Sequence, residues 1–172
     1  QNISELWPNL EVFFHGGISF KPYKEQYRKI IGKDINYYEI YNASEGFFGL
    51  QDNPEEHSLL LMIDYSVFYE FIPINEVGEE HPTVLPLEAV EVGKNYAMVI
   101  TTSGGLWRYQ IGDTVRFTSL YPHKFVISGR TKNFINAFGE ELMVDNADKA
   151  ISRVCRQTGA KVREYTAAPL FM

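Results

Sequence analysis

Between residues 49 and 128 the sequence carries no helical period. Runs of bulky apolar residues (SLLLMIDY, VFYEFIPI, NYAMVITT, LWRYQI, TVRFTS and KFVIS) succeed one another, each cut off by Gly, Pro, Asn or Asp. Runs of that length and punctuation form strands, and their succession without a helix predicts an antiparallel sheet or small barrel. The acidic connection NEVGEEHPTVLPLEAVEVGKN reads as a solvated loop, and His81 within it has no catalytic role in this reading.

The two flanks differ from this middle and from each other. NLEVFF is a short strand broken by HGG. Pro22 then suits a first helical turn, Tyr23, Tyr27, Ile30 and Ile31 recur on one face, and Gly32 supplies a stop. DINYYEIY comes next as a second strand, so residues 1–48 predict a parallel strand pair joined by a right-handed helical crossover. Loops after such strands commonly hold ligands. Beyond residue 128, ISGRTKNFINAFGEELMVDN leads to a helix striped by Ala147, Ala150, Ile151, Val154 and Cys155. Asp145 or Asn146 can cap its start and Gly159 its end, and AKVREYTAAPLF reads as a strand after it. The expected fold is therefore mixed α/β: a βαβ portion at 1–48, a β-rich, barrel-like portion at 49–128, and the start of a small α+β unit at 129–172.

Composition narrows the function classes. With 45% apolar content in 172 residues the chain can build a real core. The 22 acidic and 16 basic residues leave a scattered net charge of −6, which argues against a nucleic-acid or anionic-membrane surface. Cys155 is the sole cysteine, so neither a disulfide nor a cysteine metal site is expected, and a reducing, cytoplasmic setting is the default. No run of about 18 apolar residues and no signal-peptide pattern occurs. A start at Gln1 and a strand-like close in YTAAPLFM point to a piece of a longer protein.

Four stretches carry polar groups that packing does not explain. In HGG, Gly16 and Gly17 let backbone approach a flat ligand, although a tight turn accounts for them equally well. In YNASEG, Tyr41 can stack on a base, Ser44 can donate to a phosphate and Glu45 can hold Mg²⁺; an ST-turn with a surface Glu is the alternative. GLWRYQIGD reads as an apolar strand ending on Gly112 and Asp113, while GRTKNFINAFGEEL, with Arg130 and Lys132, is by itself a charged connector. TTSGG at 101–105 reads as a turn between strands.

In their order and spacing, YNASEG, LLLMIDYSVFYEFIP, GLWRYQIGD and GRTKNFINAFGEEL resemble the Gretchen Hagen family of auxin-responsive acyl acid amido synthetases. That family is part of the adenylate-forming superfamily of acyl-CoA ligases and luciferase. The resemblance runs over essentially all 172 residues and implies the last part of the large nucleotide-binding domain, the hinge, and the start of the mobile lid. It implies that Gly16 and Gly17 line the adenine pocket, Tyr41 stacks on adenine, Ser44 lies near the α-phosphate and Glu45 associates with Mg²⁺. Asp113 would accept both ribose hydroxyls, Arg130 would reach ribose or phosphate, and Lys132 would be the hinge about which the lid turns. The implied chemistry is ATP-dependent activation of a carboxylic acid as acyl-AMP, then transfer to an amino acid amine. An acyl-CoA-forming ligase, with coenzyme A as acceptor, is the alternative within the superfamily. A non-catalytic nucleotide-binding module and a plain β-rich interaction domain are the alternatives outside it. The family's phosphate loop and lid lysine would fall outside residues 1–172, so the fragment alone is expected to be inactive.

Overall fold

The computed structural model describes residues 2–16, 20, 23–131, 135–137, 140–142, 144–162 and 165–166. A short helix α1 (Ile3–Leu6) precedes strand β1 (Val12–His15), helix α2 (Lys24–Ile31) and strand β2 (Asn36–Ala43). β1 and β2 pair in parallel, Phe13 opposite Tyr37, as the crossover pattern predicts. Gly32 ends α2 at φ +80°, its N–H donating to the Arg28 carbonyl at 2.9 Å.

Next come β3 (Gly46–Leu50), β4 (Leu59–Leu61), β5 (Val67–Pro73), β6 (Leu85–Pro86), β7 (Asn95–Thr102), β8 (Tyr109–Leu120) and β9 (His123–Arg130). A small hairpin, β10 (Ile135–Ala137) with β11 (Glu140–Leu142), leads to helix α3 (Val144–Thr158). Strands β1 to β9 form one nine-stranded sheet in the order β1-β2-β3-β4-β9-β8-β7-β5-β6, antiparallel except for the first pair. The middle of the chain is thus the expected antiparallel sheet, and β2 continues it into the N-terminal unit.

The sheet is rolled. Phe48 on β3 packs edge-on against Tyr69 on β5, ring centroids 6.4 Å apart, although β4, β9, β8 and β7 lie between those strands. Alternate residues of β5 (Val67, Tyr69, Phe71), β7 (Tyr96, Met98, Ile100) and β8 (Val115, Phe117) share the enclosed face with Phe48, Leu59 and Phe125. The opposite face carries a smaller cluster, Ile72, Ala97 and Val99, roofed by Val77 and Val84 from the β5–β7 connection.

Several local expectations are corrected. LWRYQI and TVRFTS are not separate strands: β8 begins at Tyr109 and runs unbroken to Leu120, so Asp113 lies inside a strand rather than at its end. Gly112, at φ +87°, makes this possible by absorbing a bulge, seen as a register shift between Ala97 and Val99 on the partner strand. Leu106–Arg108 belong to the turn after β7, where Arg108 adopts φ +46° and its N–H donates to Thr101 Oγ1 at 3.0 Å. α3 starts at Val144, so Asp145 and Asn146 lie within its first turn and do not precede it as caps. Gly159 does end it, at φ +71° with its N–H on the Cys155 carbonyl. The described residues of the expected C-terminal strand, 160–162 and 165–166, are not in strand conformation.

Candidate functional site

The rolling of the sheet builds the site. β2 and β8 are separated by β3, β4 and β9, which in a flat sheet would hold them roughly 19 Å apart at ~4.8 Å per strand. Instead the Tyr41 hydroxyl on β2 donates to Asp113 Oδ2 on β8 at 2.6 Å. On the other side Asp113 is register partner of Arg130, the last residue of β9, and Arg130 Nε lies 3.3 Å from Asp113 Oδ1. Tyr41, Asp113 and Arg130 therefore converge.

The three side chains differ in freedom. Tyr41 is 6% exposed, its ring packed against Phe48 (centroids 5.1 Å apart) and Phe125 (6.1 Å). Its opposite number on β3 is Gly49, where a Cβ would stand 2.9 Å from the Phe125 ring; the missing side chain is what admits that ring. The Asp113 side chain is 18% exposed and that of Arg130 61%. Burial, the hydrogen bond to Asp113 and that carboxylate's charge hold the Tyr41 hydroxyl far above the ordinary phenol range, so it remains a donor; Glu45 acts in the same direction.

The Gly112 bulge ties the site to the chain beyond β9. Its carbonyl accepts from the Thr131 backbone N–H at 2.9 Å and from Thr131 Oγ1 at 3.3 Å. Arg130 Nη2 reaches the Ile111 carbonyl at 3.4 Å, and a Cβ on Gly112 would meet that same Nη2 at 3.1 Å. Beneath, buried Ser128 donates to buried Thr114 at 3.1 Å, pinning β8 to β9 next to Asp113. Thr131 and the Ile111 carbonyl were not legible as site groups; the isolated glycine inside a strand-like run was the available signal for a bulge.

The other assigned residues are more scattered. YNASEG is not a loop that leaves the sheet but a hairpin, with Ala43 opposite Gly46 and Ser44–Glu45 as its two-residue turn. Ser44 is exposed and Glu45 half-buried, the latter within electrostatic reach of Tyr41. Gly16 has a structural reason for lacking a side chain, since a Cβ there would stand 2.5 Å from the Ile40 carbonyl oxygen on β2. Gly17 and Lys132 lie outside the described residues. Tyr41 departs from its expected stacking role, because its ring is in the core and its hydroxyl is the part turned to the site.

Two open grooves lie elsewhere, one of about 500 Å³ beside Phe68, Thr102 and Trp107, the other of about 430 Å³ beside His81, Arg108 and Gln110. Neither is lined by Asp113. TTSGG forms the expected turn between β7 and β8. Among the described residues no helix is long and apolar enough to cross a membrane.

Comparison with known proteins gives a consistent result. Residues 60–130 match the GH3 family central domain. The chain is 32% identical over 180 residues to indole-3-acetic acid-amido synthetase GH3.3 of Arabidopsis thaliana, covering 95% of this chain and 29% of that protein. It is 33% identical over 128 residues to jasmonoyl--L-amino acid synthetase JAR4 of Nicotiana attenuata, covering 69% of this chain and 22% of that one. Among solved structures, a GH3.15 acyl acid amido synthetase shares the fold, with a TM-score of 0.67 and 24% identity over 88% of this chain and 27% of that chain. The chain thus spans under a third of the length of these relatives.

Proposed function

Because the chain belongs to the GH3 family, we propose that it forms the ribose-binding rim and the approach to the hinge of an ATP-dependent acyl acid amido synthetase. In this reading a substrate carboxylate attacks the α-phosphorus of ATP and pyrophosphate leaves with the electrons of the broken P–O bond. The resulting acyl-adenylate is then taken by the amine of an amino acid. No protein nucleophile is needed; the chain's residues bind, orient and neutralise.

Asp113, an acceptor-only carboxylate, receives the ribose hydroxyls. Arg130, with its exposed guanidinium, serves ribose or phosphate, and Ser44 on the hairpin turn donates to the α-phosphate. Gly16 and Gly17 border the base, and Lys132 is the hinge position. Among the described residues there is no cluster of three or more His, Cys, Asp or Glu that could hold a metal. A lone Glu45 does fit Mg²⁺ that arrives with nucleotide phosphates, since Mg²⁺ commonly takes one or two carboxylates beside them. When bound there it neutralises phosphate charge. An amine acceptor is favoured over coenzyme A because GH3.3 is named an amido synthetase and JAR4 a jasmonoyl--L-amino acid synthetase. A cytoplasmic setting agrees with the lone, unpaired Cys155.

The observation that carries this reading is the convergence on Asp113 of Tyr41, from a strand remote in the sheet, and Arg130, its register partner on the neighbouring strand. The test is carboxylate-dependent exchange of labelled pyrophosphate into ATP by the full-length protein. Exchange is expected with at least one member of a panel of indole, benzoate and jasmonate-type acids, and Asp113→Ala should reduce it at least ~10-fold. The mass of the product formed with amino acids or coenzyme A separates amide from thioester. Absence of exchange across the panel overturns the adenylating assignment.

A further inference from the structure

Asp113 is held by partners of opposite character, and the difference assigns Tyr41 a job that its sequence position did not suggest. An ionised carboxylate offers about four lone-pair positions across its oxygens. Tyr41 takes one on Oδ2, while Arg130 Nε stands 3.3 Å from Oδ1 as an ion pair, so each oxygen keeps at least one acceptor position. That is the pattern a cis-diol needs, with one hydroxyl for each oxygen.

The Arg130 side chain is 61% exposed and makes its contact at 3.3 Å, so it can move away when a ligand arrives. Tyr41 has no such freedom. Its ring is wedged between Phe48 and Phe125 at 6% exposure, and a hydrogen bond to a charged acceptor at 2.6 Å is short and strong. With the ring fixed by the core, the hydroxyl fixes the rotation of the Asp113 carboxylate.

We propose that Tyr41 is a positioning residue that acts through Asp113, aiming its free lone pairs at a vicinal diol, and that it does not stack on the base. The inference rests on the reading that Asp113 receives a nucleotide ribose, and deepens it. Ring burial supports it independently, since a ring flanked by core aromatics has no free face for a base. Tyr41→Phe keeps the ring and its packing and removes only the donor.

The experiment is calorimetric titration of the full-length protein and its variants with AMP and with 2′,3′-dideoxy-AMP, which lacks the diol. In Tyr41→Phe, AMP affinity should fall about 10-fold, the scale of a hydrogen bond to a charged group, while affinity for the dideoxy nucleotide changes less than ~2-fold. In an Asp113→Asn background, adding Tyr41→Phe should have no further effect on AMP, because the group it acts through is already altered. Equal weakening for both nucleotides in Tyr41→Phe would mean that Tyr41 serves the base, and no weakening for either would mean that it is packing alone; each overturns the inference. If the unchanged chain binds both nucleotides equally, or neither, the ribose reading of Asp113 falls first and the inference falls with it.

Discussion

The N-terminal flank and the rolled sheet use aromatic residues in opposite ways. In the sheet, Phe71, Tyr96, Phe117 and Phe125 are at most 1% exposed and contact one another across the enclosed face. In the flank, Phe14 is 56% exposed and Tyr23 42%, and α2 buries only Ile31 fully. A single parallel pair with a helix on one face encloses little, whereas a sheet curled on itself encloses its whole inner face. β2 belongs to both regions: Tyr37 meets Phe13 in the flank and Tyr41 meets Phe48 in the core. The site therefore takes its rigidity from the sheet side.

The largest expected effect breaks or upholds this contrast directly. Phe117→Ala should cost about 3–5 kcal/mol, the range for emptying a well-packed aromatic site, and Phe71→Ala a similar amount. Phe14→Ala, removing a ring already half in water, should cost no more than about 1 kcal/mol. Urea denaturation of the three variants decides it: equal losses would mean that the flank carries as much stability as the sheet.

A second, smaller effect sharpens the contrast at the site. Gly49→Ala places a Cβ 2.9 Å from the Phe125 ring and 3.1 Å from Leu59 Cβ, and overpacking of that kind should cost about 1–3 kcal/mol. Because Phe125 also contacts Tyr41, the near-ultraviolet tyrosine signal should change with stability. Gly78→Ala, on the β5–β7 connection where a Cβ would meet nothing within 4 Å, bears only the strain of φ +95°. A larger loss at Gly78 than at Gly49 would sink the packing explanation.

Legibility in the sequence divides along the same line. The strands of the middle region were readable because bulky residues alternate there and turn residues bound each run, and the parallel crossover was readable from the spacing of Tyr23, Tyr27, Ile30 and Ile31. Asp113 and Arg130 could be named, but not that they would be register partners on adjacent strands. Gly112–Asp113 looked like a strand end because Gly-Asp ordinarily marks a turn; inside a sheet the same glycine makes a bulge and the strand continues. The Tyr41 hydroxyl bond joins residues 72 apart and depends on the curl of the whole sheet, which no local pattern encodes. Local spacing could suggest a ring for stacking, but only the rolled core shows that the ring's faces are taken.

The smallest effect concerns charge and has a sign that can be checked. In the sheet region Lys124 bridges Asp52 at 3.0 Å and Glu56 at 2.9 Å, while the flank's Arg28–Asp34 pair is more open to water. The hydrogen bond from Lys124, then that from Asn53, hold the Glu56 carboxyl below its ordinary 4.5. A carboxylate whose value is lowered by folding contributes stability that is fully present above its ordinary value and is lost as pH falls through the lowered one. Lys124→Met should therefore flatten the loss of stability on acidification below about pH 4.5, leaving the share due to Glu76, which the Thr83 backbone N–H also holds low. Arg28→Met should move the urea midpoint at pH 7 by an amount equivalent to less than about 0.5 kcal/mol, as expected for an exposed pair. Urea midpoints at pH 7 and at pH 3.5 test both. An acid decline as steep in Lys124→Met as in the unchanged chain would show that the bridge is screened by water like the flank's pair, and that the two regions differ in packing but not in electrostatics.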